Sequence, residues 1–438
     1  MRYGQALGYL ESFVDYEKIG YRDKKAFSLH RIKHLAQIFD NPQKSFPSIH
    51  ITGTKGKGST AIFTARILEE AGYRTGLYVS PHMYDPRERM SVNGRLIDKN
   101  HFALLAEKLK NKLSKAKIDF KPTYFEAMTI LALNYFRAAS IDYGVIEVGL
   151  GGSLDATNIV NTLVSMVTPI SRDHTQILGS SIKKIASAKA GIIKKSKSVV
   201  SSPQCEEALS VLRSTSKKMN SGFFLVGKDI TFKERRHDSR YEVFDIKGRL
   251  KTYENCRIAL VGRHQIENAC AAVAACEVLT ENGAKITPRH MQKGLEKARY
   301  PCRCEIINEN PKIIIDGAQN ENSARAIKET LKRNFKFKNM ILVVGTSRDK
   351  DIKGICAELA PEADFIIATK SKHERAEDPA QIKSFIKNKP VEISFSVREA
   401  MDLALSRAGI DDLILVTGSF FVAGEARKVN LNAERVPV

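Results

Sequence analysis

The run Gly53-Thr54-Lys55-Gly56-Lys57-Gly58-Ser59 sits between a β-branched stretch, Ile49 to Thr52, and a strongly helical one, Thr60 to Ala71, and it constrains this chain more than any other feature. A strand that passes through a glycine-rich turn into a helix is the opening unit of a parallel α/β sheet. Three glycines within six residues let backbone N–H groups turn toward one point without Cβ obstruction. Lys57 adds a cation, and the helix adds the positive end of its dipole. Such a junction is built to hold phosphate, and the ligand it points to is ATP.

The loop is a variant. The common phosphate-binding pattern puts lysine directly before serine or threonine, whereas here Gly58 separates Lys57 from Ser59 and the first glycine is closer. The plainer alternative is a glycine-rich turn that only links strand to helix; the lysine, the serine and both flanking elements favour phosphate. A Gly-x-Gly-x-x-Gly dinucleotide signature is absent at this junction.

With 438 residues, 43% of them hydrophobic, the chain has material for two domains with proper cores. Met1 to Val14 contain no continuous apolar segment, and no stretch approaches the roughly 18 apolar residues of a membrane span. The expectation is a cytoplasmic protein with no membrane partner. The seven cysteines are scattered, only Cys302 and Cys304 lie close together, and zinc-site spacing is missing, so reduced structural thiols are expected. A net charge of +21 favours polyanionic ligands, yet the 70 basic residues are spread along the chain and there is no tryptophan for base stacking. The charge suits ATP and an acidic organic substrate; nucleic acid is not expected as a partner, and a monomer is the plain expectation.

Hydrophobic periodicity organises the rest. Leu29, Ile32, Leu35, Ala36 and Phe39 predict a helix over Ser28 to Phe39, and Ala61, Ile62, Ala65 and Leu68 mark the buried stripe of the helix after the loop. Strands are expected at Thr75 to Ser80, Tyr143 to Val148 and Leu163 to Ile170, with helices at Asn100 to Leu113 and Phe125 to Ala139. Alternating short runs over Phe223 to Leu260 predict a small antiparallel section, followed by a helix from Gln265 to Leu279. After Arg299-Tyr300-Pro301 a fresh α/β series begins, with strands at Lys312 to Ile315, Met340 to Val344, Phe365 to Ala368, Val391 to Phe395 and Leu413 to Val416. The fold class expected is therefore α/β. An N-terminal P-loop-type ATPase domain, mostly parallel sheet with a small antiparallel section, spans 1–298; a smaller Rossmann-like α/β domain spans 299–438.

Open α/β sheets gather ligand groups at the carboxyl ends of their strands. Four clusters stand there: Ser80-Pro81-His82, Glu147, Asp173-His174 and Asp316-Gly317-Ala318. A phosphate-bound Mg²⁺ prefers hard oxygen donors, which makes Glu147 and the hydroxyls of Ser59 or Ser80 natural ligands and His174 a less usual one. An acid at a strand end is as readily a capping or surface residue; the glycine-rich turn Gly149-Leu150-Gly151-Gly152 beside Glu147 leaves room for a ligand.

Read together, these segments resemble the folylpolyglutamate synthase and dihydrofolate synthase family, within the Mur ligase superfamily. The resemblance runs over nearly the whole chain. It rests on the glycine-rich loop, Ser80-Pro81-His82 with Glu88-Arg89 and Asn93-Gly94, Thr123 to Glu126, Glu147 to Gly152 with Leu154 to Asn158, and Asp173-His174 with Leu178-Gly179. Lys189 to Ile192, Gly262 to Gln265 with Asn268, Pro301-x-Arg303-x-Glu305 and Asp316 to Ala318 follow in the family's order. Any one of these is weak; the ordered set is specific.

The resemblance implies an amide ligase that uses ATP to add L-glutamate to a pteroate or folate carboxylate. Oxide is a poor leaving group, so the carboxylate is first phosphorylated, and the amine of glutamate then displaces phosphate. Lys57, the loop amides of Gly53 to Ser59 and Mg²⁺ would neutralise the transferring phosphoryl group. By the same resemblance Ser80, Glu147 and His174 would hold the metal, and Asn268, Arg303 and Asp316 the adenosine and phosphates. Lys189 corresponds to the family's carbamylated lysine; without the resemblance it reads as an ordinary helix-surface lysine. Reaction with CO₂ needs a deprotonated, desolvated amine. The pterin-binding loop would fall near Lys18 to Ser28, with Phe125, Asp155 and Ala156 lining the pocket, although Phe125 equally suits core packing beside Met128, Leu131 and Ala132.

Three residues depart from the family pattern: Ser153 in place of arginine, Ala188 in place of an acid, and Gln319 in place of histidine. A peptidoglycan Mur ligase shares the loop but carries a UDP-sugar-binding domain ahead of it, and only 52 residues precede Gly53. A nucleotide-binding module without catalysis and a basic nucleic-acid-binding ATPase remain as rivals of another class, opposed by Lys57, Glu147, His174 and Lys189.

Overall fold

Strand β1, Ser48–Thr52, is buried along its whole length, which a continuous run of β-formers permits only at the centre of a sheet covered on both faces. The computed structural model describes residues 1–16, 28–116 and 118–433. In chain order the first sheet adds β2 (Thr75–Tyr78), β3 (Met90–Val92), β4 (Arg95–Leu96), β5 (Tyr143–Glu147), β6 (Thr162–Val167), β7 (Ser198–Ser201) and β8 (Gly222–Leu225). Their spatial order is β4-β3-β2-β5-β1-β6-β7-β8. All neighbours pair in parallel except the edge hairpin β3–β4, which runs antiparallel to β2 and to itself. The chain leaves β1 toward β2 on one side and later returns to β6 on the other. The crevice above β1 is thus the switch point where α/β sheets bind ligands.

Alternate residues of one strand feed different cores. Val145 packs with the helices Lys57–Glu70 and Arg263–Glu281, while Ile146 packs with Leu29–Ile38, Lys99–Lys115 and Tyr124–Ala138 on the opposite face. The Arg263–Glu281 helix reads Ala-Cys-Ala-Ala-Val-Ala-Ala-Cys over 269–276 and is buried all round, as a helix without a polar face must be. Another helix, Pro288–Lys297, crosses Lys57–Glu70 so closely that a Cβ on Gly294 would lie 2.5 Å from the Cα of Ile67, which is why glycine stands there.

Three antiparallel strands, β9 (Thr231–His237), β10 (Glu242–Lys247) and β11 (Thr252–Ile258), form a separate small sheet. The expected antiparallel section therefore starts later than Phe223: residues 222–225 are the parallel edge strand β8. An edge strand with one covered face shows the same alternation as an antiparallel strand, so the pattern alone does not separate them.

The last sheet contains β12 (Glu305–Glu309), β13 (Lys312–Ile315), β14 (Met340–Val344), β15 (Phe365–Ala368), β16 (Val391–Ile393) and β17 (Leu413–Thr417). Its order is β12-β13-β17-β14-β15-β16, parallel throughout except for β12. The sequence reading did not mark β12; four half-exposed residues and one exposed one on a sheet edge carry little hydrophobic signal. None of the helices in the described residues is long and apolar enough to cross a membrane.

Candidate active site

The phosphate loop is fixed from below. Gly53 leaves β1 at φ +146° against Thr168, where a Cβ would overlap the threonine. The Thr54 N–H donates to the Pro169 carbonyl at 2.9 Å, and the Thr54 hydroxyl exchanges hydrogen bonds with Ser171 at 3.0 and 3.1 Å. Gly56, at φ +84°, is the residue ahead of the helix, and no side chain among the described residues caps that helix. Its first amides are therefore directed at whatever occupies the crevice. The helix begins at Lys57, three residues earlier than the periodicity suggests, so Lys57 and Ser59 belong to its first turn.

Loop and neighbouring strand ends line a cavity of about 420 Å³ that the second sheet closes from the other side. Gly53 to Ser59, Ser80, Glu147, His174, Lys189 and Asn268 line it together with Arg303 and Asp316, residues brought by segments 303 and 316 of the second unit. Every nucleotide and metal candidate from the sequence thus reaches one space. Lys57 Nζ lies 3.9 Å from Glu147 Oε1, and the Ser80 N–H donates to Glu147 Oε2 at 3.2 Å. Lys189 Nζ donates to the Gly53 carbonyl at 2.8 Å, tying the Ile182–Ala190 helix to the start of the loop. The Asn268 amide donates to Gln265 at 3.0 Å and lies against Gly56. The Arg303 guanidinium sits 4.2 Å above the Phe420 ring. Asp316 accepts the N–H groups of Cys304 and Ala318.

Burial and the crowding of cations in the cleft move their proton equilibria. Burial pulls both Lys55 and Lys189 down to about 7, and the neighbouring lysines push the same way. Burial also lowers His174 to about 3, assisted by Lys350, and His264 to about 4. For Asp173 burial acts upward, but His174, Lys350, Lys55 and Lys57 together hold the carboxyl below its ordinary value. Asp316 is raised by burial, with Arg303 opposing. Six cationic side chains, Lys55, Lys57, Lys189, Arg303, Lys350 and Arg375, face three carboxylates, Glu147, Asp173 and Asp316. The space is made for an anion.

No group of three or more His, Cys, Asp and Glu gathers around a cation position among the described residues. Glu147 with the hydroxyls of Ser59 and Ser80 supplies one carboxylate and neutral oxygens, a donor set that fits Mg²⁺ completed by phosphate oxygens and water.

Phe125, Asp155 and Ala156, expected around the pterin and not the nucleotide, are not among the residues that line this cavity. The Phe125 ring occupies the space a Cβ on Gly149 would need, at 2.5 Å. Asp155 is buried and accepts from the N–H groups of Leu150 and Thr157 at 2.8 and 2.9 Å and from the Thr157 hydroxyl at 2.5 Å, so its carboxylate shapes the loop after Glu147. Ala156 is buried in the core beneath. Residues 18–27 of the expected pterin loop lie outside the described residues. Of the three departures, Ser153 and Ala188 meet: the Ser153 N–H donates to the Ala188 carbonyl at 2.8 Å, and Gln319 lines the cavity itself.

The sequence reading missed Ser347, Lys350, Arg375, Ser419 and Phe421, which form the second wall. Each follows the carboxyl end of β14, β15 or β17, where the strand-end rule that found Asp316 would have found them.

The Mur ligase middle domain matches residues 51–276, and the Mur ligase glutamate ligase domain matches residues 302–420. The chain is 34% identical to the dihydrofolate synthase/folylpolyglutamate synthase of Bacillus subtilis, over 91% of this chain and 94% of that one. Mycobacterium tuberculosis folylpolyglutamate synthase complexed with ADP superposes with a TM-score of 0.90 at 29% identity, over 100% of this chain and 99% of that one. E. coli FolC in complex with DHPP and ADP superposes with a TM-score of 0.88 at 30% identity and the same coverage. A phosphate loop at the switch point, a cleft shared by two sheets and this likeness over the full described length agree: the chain belongs to the dihydrofolate synthase/folylpolyglutamate synthase family of Mur ligases.

Proposed function

We propose that this protein joins L-glutamate to the carboxylate of dihydropteroate, of a folate, or of both, at the expense of ATP and through an acyl phosphate. The single observation that carries the reading is the cation-rich cavity with the phosphate loop on one wall and Arg303, Lys350 and Arg375 on the other. Lys57 and the first helix amides bind the phosphates of ATP from one side, and Arg303 and Asn268 orient the nucleotide from the other. Glu147, His174, Ser59 and Ser80 would hold Mg²⁺, which when bound adds positive charge at the phosphate oxygens.

The acceptor carboxylate attacks the γ-phosphorus and ADP leaves. The glutamate amine then attacks the carbonyl carbon, and the tetrahedral intermediate expels phosphate, with the amine proton lost to solvent or a cleft base. Two walls closing on the reactants exclude the water that would hydrolyse the acyl phosphate. Lys189, buried and with its amine drawn down to about 7, is suited to react with CO₂ and carry the resulting carboxylate beside Gly53. Phe125, Asp155 and Ala156 would line the pterin pocket beside the Gly149 loop, against which the Phe125 ring packs and to which Asp155 is hydrogen-bonded.

We further propose that the lobes divide at 298/299, and that the protein acts as a cytoplasmic monomer without nucleic-acid or membrane partners. Phosphate release is measured with dihydropteroate, tetrahydrofolate, single-stranded RNA or no acceptor, each with and without L-glutamate. Release only when a pterin and glutamate are both present is the expected result, and the more active pterin names the acceptor. RNA-stimulated release, or none with any acceptor, contradicts the proposal.

A further inference from the structure

Backbone conformation does not account for the glycine at position 58. Gly53 and Gly56 take left-handed φ values; Gly58 does not, and it lies in the first turn of the Lys57–Glu70 helix. A helical backbone does not call for glycine and favours alanine over it, so the reason for Gly58 is sought in what surrounds it. The atoms nearest to a Cβ built on Gly58 all belong to Tyr300: Cε1 and Oη at 2.6 Å and Cζ at 2.9 Å.

Tyr300 lies in the short segment between the Pro288–Lys297 helix of the first unit and β12 of the second. Its ring packs against the core that surrounds the Lys57–Glu70 helix. The Arg303 guanidinium stands 5.2 Å from its ring centroid and 4.2 Å from that of Phe420. A continuous stack therefore runs from the opening turn of the phosphate-loop helix, through Tyr300 and Arg303, to the helix after β17.

We infer that Tyr300 is a positioning residue: its ring seats in the gap left by Gly58 and fixes the phosphate loop and Arg303 relative to each other. The Gly58 that separates Lys57 from Ser59 is then the counterpart of an aromatic residue 242 positions later. This rests on the reading of the cavity as a nucleotide site. The competing explanation is that Gly58 is needed for close approach of a phosphate.

A double-mutant cycle separates the two. Gly58→Ala, Tyr300→Ala and the double variant are compared with the unaltered protein for ADP affinity by titration calorimetry, with Tyr300→Phe as the conservative control. G58A is expected to weaken ADP binding by about tenfold or more, and this loss to shrink to within about twofold when added to Y300A, a coupling in the range of contacting residues. Y300A alone weakens ADP binding, and Y300F restores it. An undiminished cost of G58A in the Y300A background overturns the inference, as does a Y300F protein that binds ADP no better than Y300A. Should G58A fail to fold, a folded, ADP-binding double variant supports the contact and an unfolded one overturns it. Failure of the unaltered protein to bind ADP would instead reject the nucleotide site itself.

Discussion

The two units meet at two places built on opposite principles. Away from the cleft, Glu242 of β10 is fully buried and saturated: it accepts from the Gly262 N–H at 2.7 Å, from Asn334 at 3.0 Å and from Arg333 at 2.8 Å. Arg333 also pairs with Glu234 at 2.7 Å, and the Asn334 amide reaches the Asp238 carbonyl. At the cleft, Asp173 is spread between Lys55 of one unit and Lys350 of the other at 3.7 Å each, and cations outnumber acids. A closed set of partners holds two bodies in place, whereas an excess of one charge waits for a ligand to complete it. The first junction should therefore govern stability and the second binding and rate.

The sharpest way to break that contrast is Lys57→Ala. Loss of the cation proposed to face the transferring phosphoryl group should cost at least about a hundredfold in kcat. Unfolding by urea should show unchanged or greater stability, because one member of a crowd of like charges is gone. A large fall in stability would mean that the cleft also holds the fold.

Glu242→Ala should behave conversely. It removes one of the two carboxylate partners of Arg333, one of the two acceptors of the Asn334 amide and the acceptor of the N–H at the start of the helix carrying His264 and Asn268, at an expected cost of roughly 3 kcal/mol in unfolding free energy. Equilibrium denaturation reads this directly. A cost under about 1 kcal/mol would make the junction an ordinary surface contact.

Acidity offers a subtler measure. Lys55 and Lys189 hold a proton in the unfolded chain up to the ordinary 10.5 but in the folded one only up to about 7. Between those values the unfolded state binds more protons, so stability of the ligand-free protein in CO₂-free buffer, with the Lys189 amine unmodified, rises with pH from about 7 toward 10, by at most about 1.4 kcal/mol per pH unit for each lysine. Lys189→Met should flatten that slope, and an unchanged slope would show that Lys189 keeps its charge when folded.

The smallest effect belongs to Arg240 and Glu309, which cross the same far junction in the open, at 2.7 Å with both side chains largely exposed. Arg240→Ala should change stability by no more than about 0.5 kcal/mol. A loss near that of Glu242→Ala would erase the distinction between buried and exposed pairs on which the comparison depends.

Legibility in the sequence followed local signals. The phosphate loop, the helices on either side of the first sheet and the five parallel strands of the second sheet announce themselves through glycine spacing and apolar runs. The edges do not: β4 is two exposed residues and β12 five half-exposed or exposed ones, so pairing, not composition, makes them strands. In the site, residues carried by an ordered motif were found, while Lys350 and Arg375 stand among many lysines and arginines in the loops after β14 and β15, where the strand-end rule marks the loop but not the residue. Asp155, also carried by a motif, has a second task the sequence does not announce: its carboxylate accepts from Leu150 and Thr157 and shapes the loop beside Glu147.

In the proposed reaction the cleft turns a carboxylate into an acyl phosphate before the amine arrives. Supplying dihydropteroate or tetrahydrofolate with ¹⁸O in its reacting carboxylate, together with ATP and L-glutamate, tests this most directly. One labelled oxygen is predicted to appear in the released phosphate; unlabelled phosphate accompanying amide product would contradict the account.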